Sequence, residues 1–213
     1  LRLKLTPGDV IEYEFRNRSA SVATPNLDKG KVPGGTWEDA SMELDGTQKL
    51  RVVEFKDGYY KIDRETKNVR ATGTGFGKDQ AREMTRSAKP FKDSVRLSER
   101  HSYPAAQELA DPFTNGLNGV FPEGPVKVGD TWEFDAFRNG TKTRADARGV
   151  EEVQGVKCLL VELKFPPLVE GADDRMWVWF ELRSGVVEKA VLRSVSDQYG
   201  IDTYTVHSQW RRR

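Results

Sequence analysis

Cysteine occurs once in this 213-residue chain and histidine twice, at the distant positions 101 and 207. The single Cys158 excludes an internal disulfide and any zinc site built on several thiolates. Two isolated histidines leave little for metal ligation or a Ser-His pair. An excess of charge of one sign is also missing. The 34 Lys and Arg stand against 33 Asp and Glu, a net of +1, which argues against a nucleic-acid binder held by bulk electrostatics. No apolar run approaches the roughly 18 residues of a membrane span. Leu1 opens the chain with neither Met nor a charged-then-apolar leader, as in a processed mature chain or an excised piece. What the chain does have is 10% aromatic residues, five of them Trp. That excludes disorder, and the length suits one domain with its own core. Cys158, flanked by Val156, Leu159 and Leu160, reads as a small buried hydrophobe.

Period-2 alternation and turn signals dominate the sequence. Gly8-Asp9 opens Val10–Phe15, in which Ile11, Tyr13 and Phe15 share a face. Gln48–Glu65 reads as a hairpin turning at Asp57-Gly58, and Thr143–Phe165 repeats the plan around Gln154-Gly155. Three runs, Arg175–Leu182, Val186–Val195 and Ile201–Trp210, form a closing meander. Few stretches are long enough for parallel crossovers, so the sheet is expected to be antiparallel.

The chain also echoes itself. Gly8-Asp9-Val10-Ile11-Glu12-Tyr13-Glu14-Phe15-Arg16-Asn17 aligns with Gly129-Asp130-Thr131-Trp132-Glu133-Phe134-Asp135-Ala136-Phe137-Arg138-Asn139, with one inserted residue. This predicts one domain over 1–213 made of two similar halves, 1–114 and 126–213, joined by a linker at 115–125. Between the copies, the Pro- and Gly-rich Ala23–Gly46 reads as a long surface loop. Lys78–Lys89 reads as a helix, with Ala81, Met84 and Ala88 at helical spacing and Pro90 ending it. A second short helix is expected from Pro104, stopped by Asp111-Pro112.

Phe121-Pro122-Glu123-Gly124-Pro125-Val126-Lys127-Val128-Gly129-Asp130-Thr131-Trp132 resembles the Phe-Pro-x-x-Pro-Val-x-Val-Gly-Asp-x-Trp signature of uncharacterised bacterial envelope proteins and lipoproteins. Those are similar in turn to the LolA/LppX-like lipoprotein carriers. The resemblance implies a strongly curved antiparallel half-barrel with helices across its concave face, in the periplasm, the cell envelope or outside the cell. It implies no functional residue. The acylated N-terminal Cys of a lipoprotein is not in this sequence.

Motifs that suggest chemistry do not survive inspection. Gly73–Asp79 has Thr72 and Asp79 where a Walker loop needs Gly and Ser or Thr, and Lys78 where a dinucleotide loop needs Gly. The acidic pairs Glu38-Asp39, Glu151-Glu152 and Asp173-Asp174 lack the oxygen-ligand spacing of a calcium loop. No Ser sits in a Gly-x-Ser-x-Gly setting. No catalytic residue, metal or cofactor is therefore assigned. The basic stripe Lys78, Arg82, Arg86 and Lys89 reads as the solvated face of its helix.

One strand stands apart. Met176-Trp177-Val178-Trp179-Phe180 is apolar on both faces, so both need cover. The expected fold is thus all-β to α+β, a curved, duplicated antiparallel sheet with one or two helices on its concave side. The expected function is non-enzymatic binding of a lipid or other hydrophobic molecule between sheet and helix. Trp177, Trp179, Phe76 and Met84 are the candidate lining. The alternative is a structural or accessory subunit that binds other envelope proteins.

Overall fold

A computed structural model describes residues 1–23, 40–74, 90–102, 117–137, 140–166, 173–198 and 201–212. These form ten strands in one antiparallel sheet. They are β1 (Val10–Ala23), β2 (Ala40–Lys56), β3 (Tyr59–Thr74), β4 (Phe91–Ser98) and β5 (Thr131–Phe134), then β6 (Thr143–Val153), β7 (Val156–Lys164), β8 (Asp173–Glu181), β9 (Val187–Gln198) and β10 (Ile201–Arg212). Their order across the sheet is β4-β3-β2-β1-β10-β9-β8-β7-β6-β5. β4 and β5 are edges, so the sheet is open and not closed into a barrel. Every neighbour except β1 and β10 is also a neighbour in sequence, which is why short turns suffice. The helices expected over Lys78–Lys89 and from Pro104 lie outside the described residues.

The hairpin turns Asp57-Gly58 and Gln154-Gly155 have positive φ at both central residues (53° and 79°, 51° and 82°). This is the primed geometry that matches strand twist. Alternation then sets the faces. On β8, Met176, Val178 and Phe180 are buried, while Trp177 and Trp179 are half-buried on the opposite side. The same core row takes Leu159, Val161 and Leu163 from β7, Ile11 and Tyr13 from β1, and Val95 and Leu97 from β4. Each large apolar side chain removed from water there contributes about 1.5–3 kcal/mol.

Two of the turns are built alike. In one, Gly8 N–H donates to Val52 O (2.8 Å) and Val52 N–H to Asp9 O (2.9 Å), while Asp9 Oδ2 accepts from Thr6 N–H (2.7 Å). In the other, Gly129 N–H donates to Ala147 O (2.8 Å) and Ala147 N–H to Asp130 O (2.9 Å), while Asp130 Oδ2 accepts from Lys127 N–H (2.7 Å). A bulge follows directly after both Val52 and Ala147. The pairings then run in step: Val52–Ile62–Val95 across β2–β4, and Ala147–Val161–Val178 across β6–β8. Strands β1–β4 and β5–β8 therefore share the same pairing register over this stretch.

One sequence expectation needs correction, and one strand was missed. Residues Ala40–Gly46, read as loop, belong to β2. Gly46 interrupts the apolar pattern because Phe15 lies over it, with Cζ 2.6 Å from where a Cβ would stand. In the described part of the segment expected as linker, Leu117, Val120 and Phe121 are buried. Strand β4 was not read at all, because only its last half alternates, Val95 and Leu97 being buried among exposed neighbours.

Candidate functional site

The first five residues form no strand, yet they are tied in place at several points. Leu3 N–H donates to Glu99 O (2.8 Å) and Lys4 N–H to Ser184 O (2.7 Å). Tyr60 Oη, on β3, donates to Leu3 O (3.4 Å) and accepts from Leu5 N–H (3.3 Å). Arg2 reaches the carbonyls of Pro122 and Glu123. This strap thus links the end of β4 to the β8–β9 turn. Gly185 in that turn has φ of 69°, and a Cβ there would strike the Arg2 backbone, so only glycine fits both demands.

Beneath the strap lies a cavity of about 60 Å³. Leu3 and Leu5 roof it, Leu50, Val52, Ile62 and Val95 floor it, and Val186 and Val187 close the side toward the β8–β9 turn. Three polar side chains also line it: Gln48, Arg64 and His101. All three are nearly fully buried. Arg64 makes a two-point ion pair with Asp93 on β4, its Nε donating to Oδ1 (2.8 Å) and its Nη2 to Oδ2. The Phe91 ring centroid lies 5.9 Å from the guanidinium carbon. Gln48 and Thr66 are cross-strand partners on this same face, one alternation further along. Thr66 Oγ1 is buried with no hydrogen-bond partner among the described residues.

His101 packs edge-on against Phe121, centroids 4.9 Å apart, and lies 5.9 Å from Phe180. Its Nε2 lies 3.3 Å from Gly185 O, so a neutral ring protonated at Nε2 donates there. Burial pushes its pKa down to about 4, only partly offset by that bond. The histidine stays neutral at physiological pH. The motif that carried the family resemblance is part of this same packing. Phe121 meets Phe180 edge-on, with centroids 4.9 Å apart, and Trp132 Nε1 donates to Val120 O (2.7 Å).

The structure does not bring the predicted lining residues together at this cavity. Trp177 and Trp179 lie on the opposite face of β8. There Trp179 Nε1 donates to Glu151 Oε2 (2.7 Å), and Lys189 Nζ stands 4.4 Å from the ring centroid. Phe76 and Met84 lie outside the described residues. Sequence reading missed Arg64, Gln48 and the strap. The available signal was a polar residue at an apolar position of an alternating strand: Arg64 follows Tyr60 and Ile62 in the same phase.

A second polar group sits beside the Trp177 face. Asp146 and Glu162 are buried, yet arginines surround them. Asp146 accepts from Thr131 Oγ1 (2.8 Å) and Arg144 Nε (2.9 Å), and Arg148 bridges it to Glu162. Arg175 closes the far side of Glu162 at 3.5 Å. Desolvation pushes the Asp146 pKa up, but the Thr131 and Arg144 hydrogen bonds and the Arg144 and Arg148 charges outweigh it. The net shift is downward. Asp146 is thus a permanent carboxylate near neutrality, the reverse of a general acid. Cys158 is fully buried, and its thiol is pushed up to about 11, chiefly by desolvation and then by Glu188 and Glu181. Among the described residues no group of three or more His, Cys, Asp or Glu is placed to hold a metal ion, and no helix is long and apolar enough to cross a membrane.

No protein-family model matches the chain, and none of the curated proteins compared with it is similar in sequence. Among solved structures, it is similar to a DUF1329 family protein from Desulfovibrio piger. That similarity is at 9% identity and a TM-score of 0.24, over 93% of this chain and 83% of that one.

Proposed function

We propose that this is a non-enzymatic, extracytoplasmic protein that binds a hydrophobic small molecule or lipid on the inner face of its curved sheet. The observation that carries the reading is the apolar cavity under the strap, lined by eleven aliphatic residues and Tyr13 with three polar groups among them. Sites for small molecules are concave, mostly apolar and carry few orienting polar groups. At about 60 Å³ the enclosed space takes only a few methylene groups, whereas ligand pockets run to about 300–1,000 Å³. Binding therefore requires the cavity to open. Placement in a bacterial envelope rests on the 121–132 signature.

Native mass spectrometry of protein purified from its own source, with lipid extraction of the same sample, tests the reading. A bound mass that extraction removes is expected, and Leu50→Phe, which fills the cavity, should lower its occupancy. Wild-type protein that is always bare would sink the proposal. A second reading is favoured by one observation: the half-buried Trp177, Trp179, Leu160 and Val191 share the outer face. They would suit an accessory subunit that docks on another envelope protein. In that case the same spectra show a stable complex with a second chain.

A further inference from the structure

The duplicated register provides a comparison within one molecule. Aligned through Val52 and Ala147, Arg64 of the first unit occupies the position of Leu163 in the second, and Asp93 that of Met176. On the side toward the turns the neighbours stay apolar in both units: Ile62 matches Val161 and Val95 matches Val178. The second unit shows that this framework packs well with Leu and Met there, both nearly or fully buried. Replacing a buried ion pair by apolar side chains commonly leaves a fold as stable or more so. Stability therefore does not explain why the first unit carries an arginine at a position 5% exposed.

The ion pair is also lopsided. The Arg64 side chain is 5% exposed and that of Asp93 40%, on the edge strand β4. Asp93 can turn to water without leaving the sheet, but Arg64 has no such outlet. We propose that the ligand of this cavity carries a carboxylate that exchanges with Asp93 on the Arg64 guanidinium, its alkyl chain lying along Leu50, Val52, Ile62 and Val95. This rests on reading the cavity as a ligand site. The fork of Nε and Nη2 already holds a planar carboxylate at two points, which is the geometry a second carboxylate reproduces. Gln48 and Thr66 stand next on the same face, and the Thr66 hydroxyl lacks a partner among the described residues. A head group held by Arg64 lies beside both.

The test is calorimetric titration of the whole chain with decanoate and with decanol, which share a tail and differ in charge. Wild-type protein should bind decanoate more tightly by roughly 10- to 100-fold, the range of a charge-assisted hydrogen bond. Arg64→Leu, the residue the second unit uses, should erase that preference while decanol binding persists. Asp93→Ser removes the internal competitor and should tighten decanoate alone, so it decides the matter even if Arg64→Leu fails to fold. Equal binding of the two probes, or a decanoate affinity unmoved by Asp93→Ser, overturns the carboxylate proposal and leaves the cavity reading standing. Binding of neither probe overturns both.

Discussion

Lowering the pH should destabilise this fold through His101 before its carboxylates are protonated. The folded-state pKa is about 4 against 6.5 for the free side chain, so the unfolded chain binds a proton that the folded one refuses. Stability is full above the unfolded value and falls as pH drops from about 6.5 toward 4. The whole shift corresponds to ~3 kcal/mol at 1.36 kcal/mol per unit. Of this, about 2 kcal/mol should disappear between about pH 7 and pH 5. The control is His101→Asn. Asn does not titrate, and it tolerates the positive φ of 59° that His101 adopts. The variant should be less stable throughout, having lost its contacts with Phe121 and Phe180, but its stability should vary less with pH by that same ~2 kcal/mol. Urea unfolding at a series of pH values measures both curves, and an unchanged m-value keeps the comparison valid. Contributions common to both proteins cancel in the difference. Parallel curves would mean that the histidine is protonated in the folded state at the cost of no packing, and the argument from burial would be refuted.

Three more outcomes follow from the geometry. Gly185→Ala should cost about 3 kcal/mol, combining left-handed backbone strain with displacement of the strap. Gly155→Ala, at a φ of 82° but with no neighbour within 4 Å, should cost only about 1 kcal/mol; equal losses in thermal unfolding would remove the strap from the explanation. Native Cys158 should resist iodoacetamide near neutral pH and react readily once unfolded, because its thiol is buried and its pKa raised to about 11. Labelling of the folded protein at the unfolded rate would contradict that. Asp146→Asn should cost roughly 1–2 kcal/mol near neutrality, since Arg144 and Arg148, half exposed, can turn back to water. Its penalty should shrink in acid as pH falls through the depressed folded pKa of Asp146, which wild-type unfolding curves would show directly.

Much of the sheet was readable because its rules are local. The turns at Asp57-Gly58 and Gln154-Gly155 were legible from two residues each, and the meander from alternation over Arg175–Trp210. Strand β4 was not legible, because an edge strand with most of its side chains in water has little pattern to show. Gly46 was misleading: glycine is a loop signal by composition, but here it makes room for Phe15 across the strand pair. The strap was invisible for a different reason. Leu1–Leu5 is held by backbone bonds to Glu99 and Ser184, contacts between residues far apart in the chain that leave no mark in local periodicity.

The candidate site shows where local reading meets its limit. Alternation correctly separated Trp177 and Trp179 from Val178 and Phe180, but it cannot say which face is the inner one. Burial decides that, and it depends on all ten strands together. Aromatic bulk drew attention to the indoles, whose outer face is covered by Glu151 and Lys189. The informative residue was the opposite kind, a charge where the pattern demands an aliphatic. Alternation alone marks Arg64 as out of pattern, but setting it against Leu163 needs the register, not merely the Gly-Asp echo. The echo lies at Gly8 and Gly129, while the divergence lies on the third strand of each set, and the unequal lengths of the strands and connections between break any simple count from one copy to the other. Where two sets of strands in one sheet share a register, the position at which one of them departs from apolar packing is the place to look for what that set does.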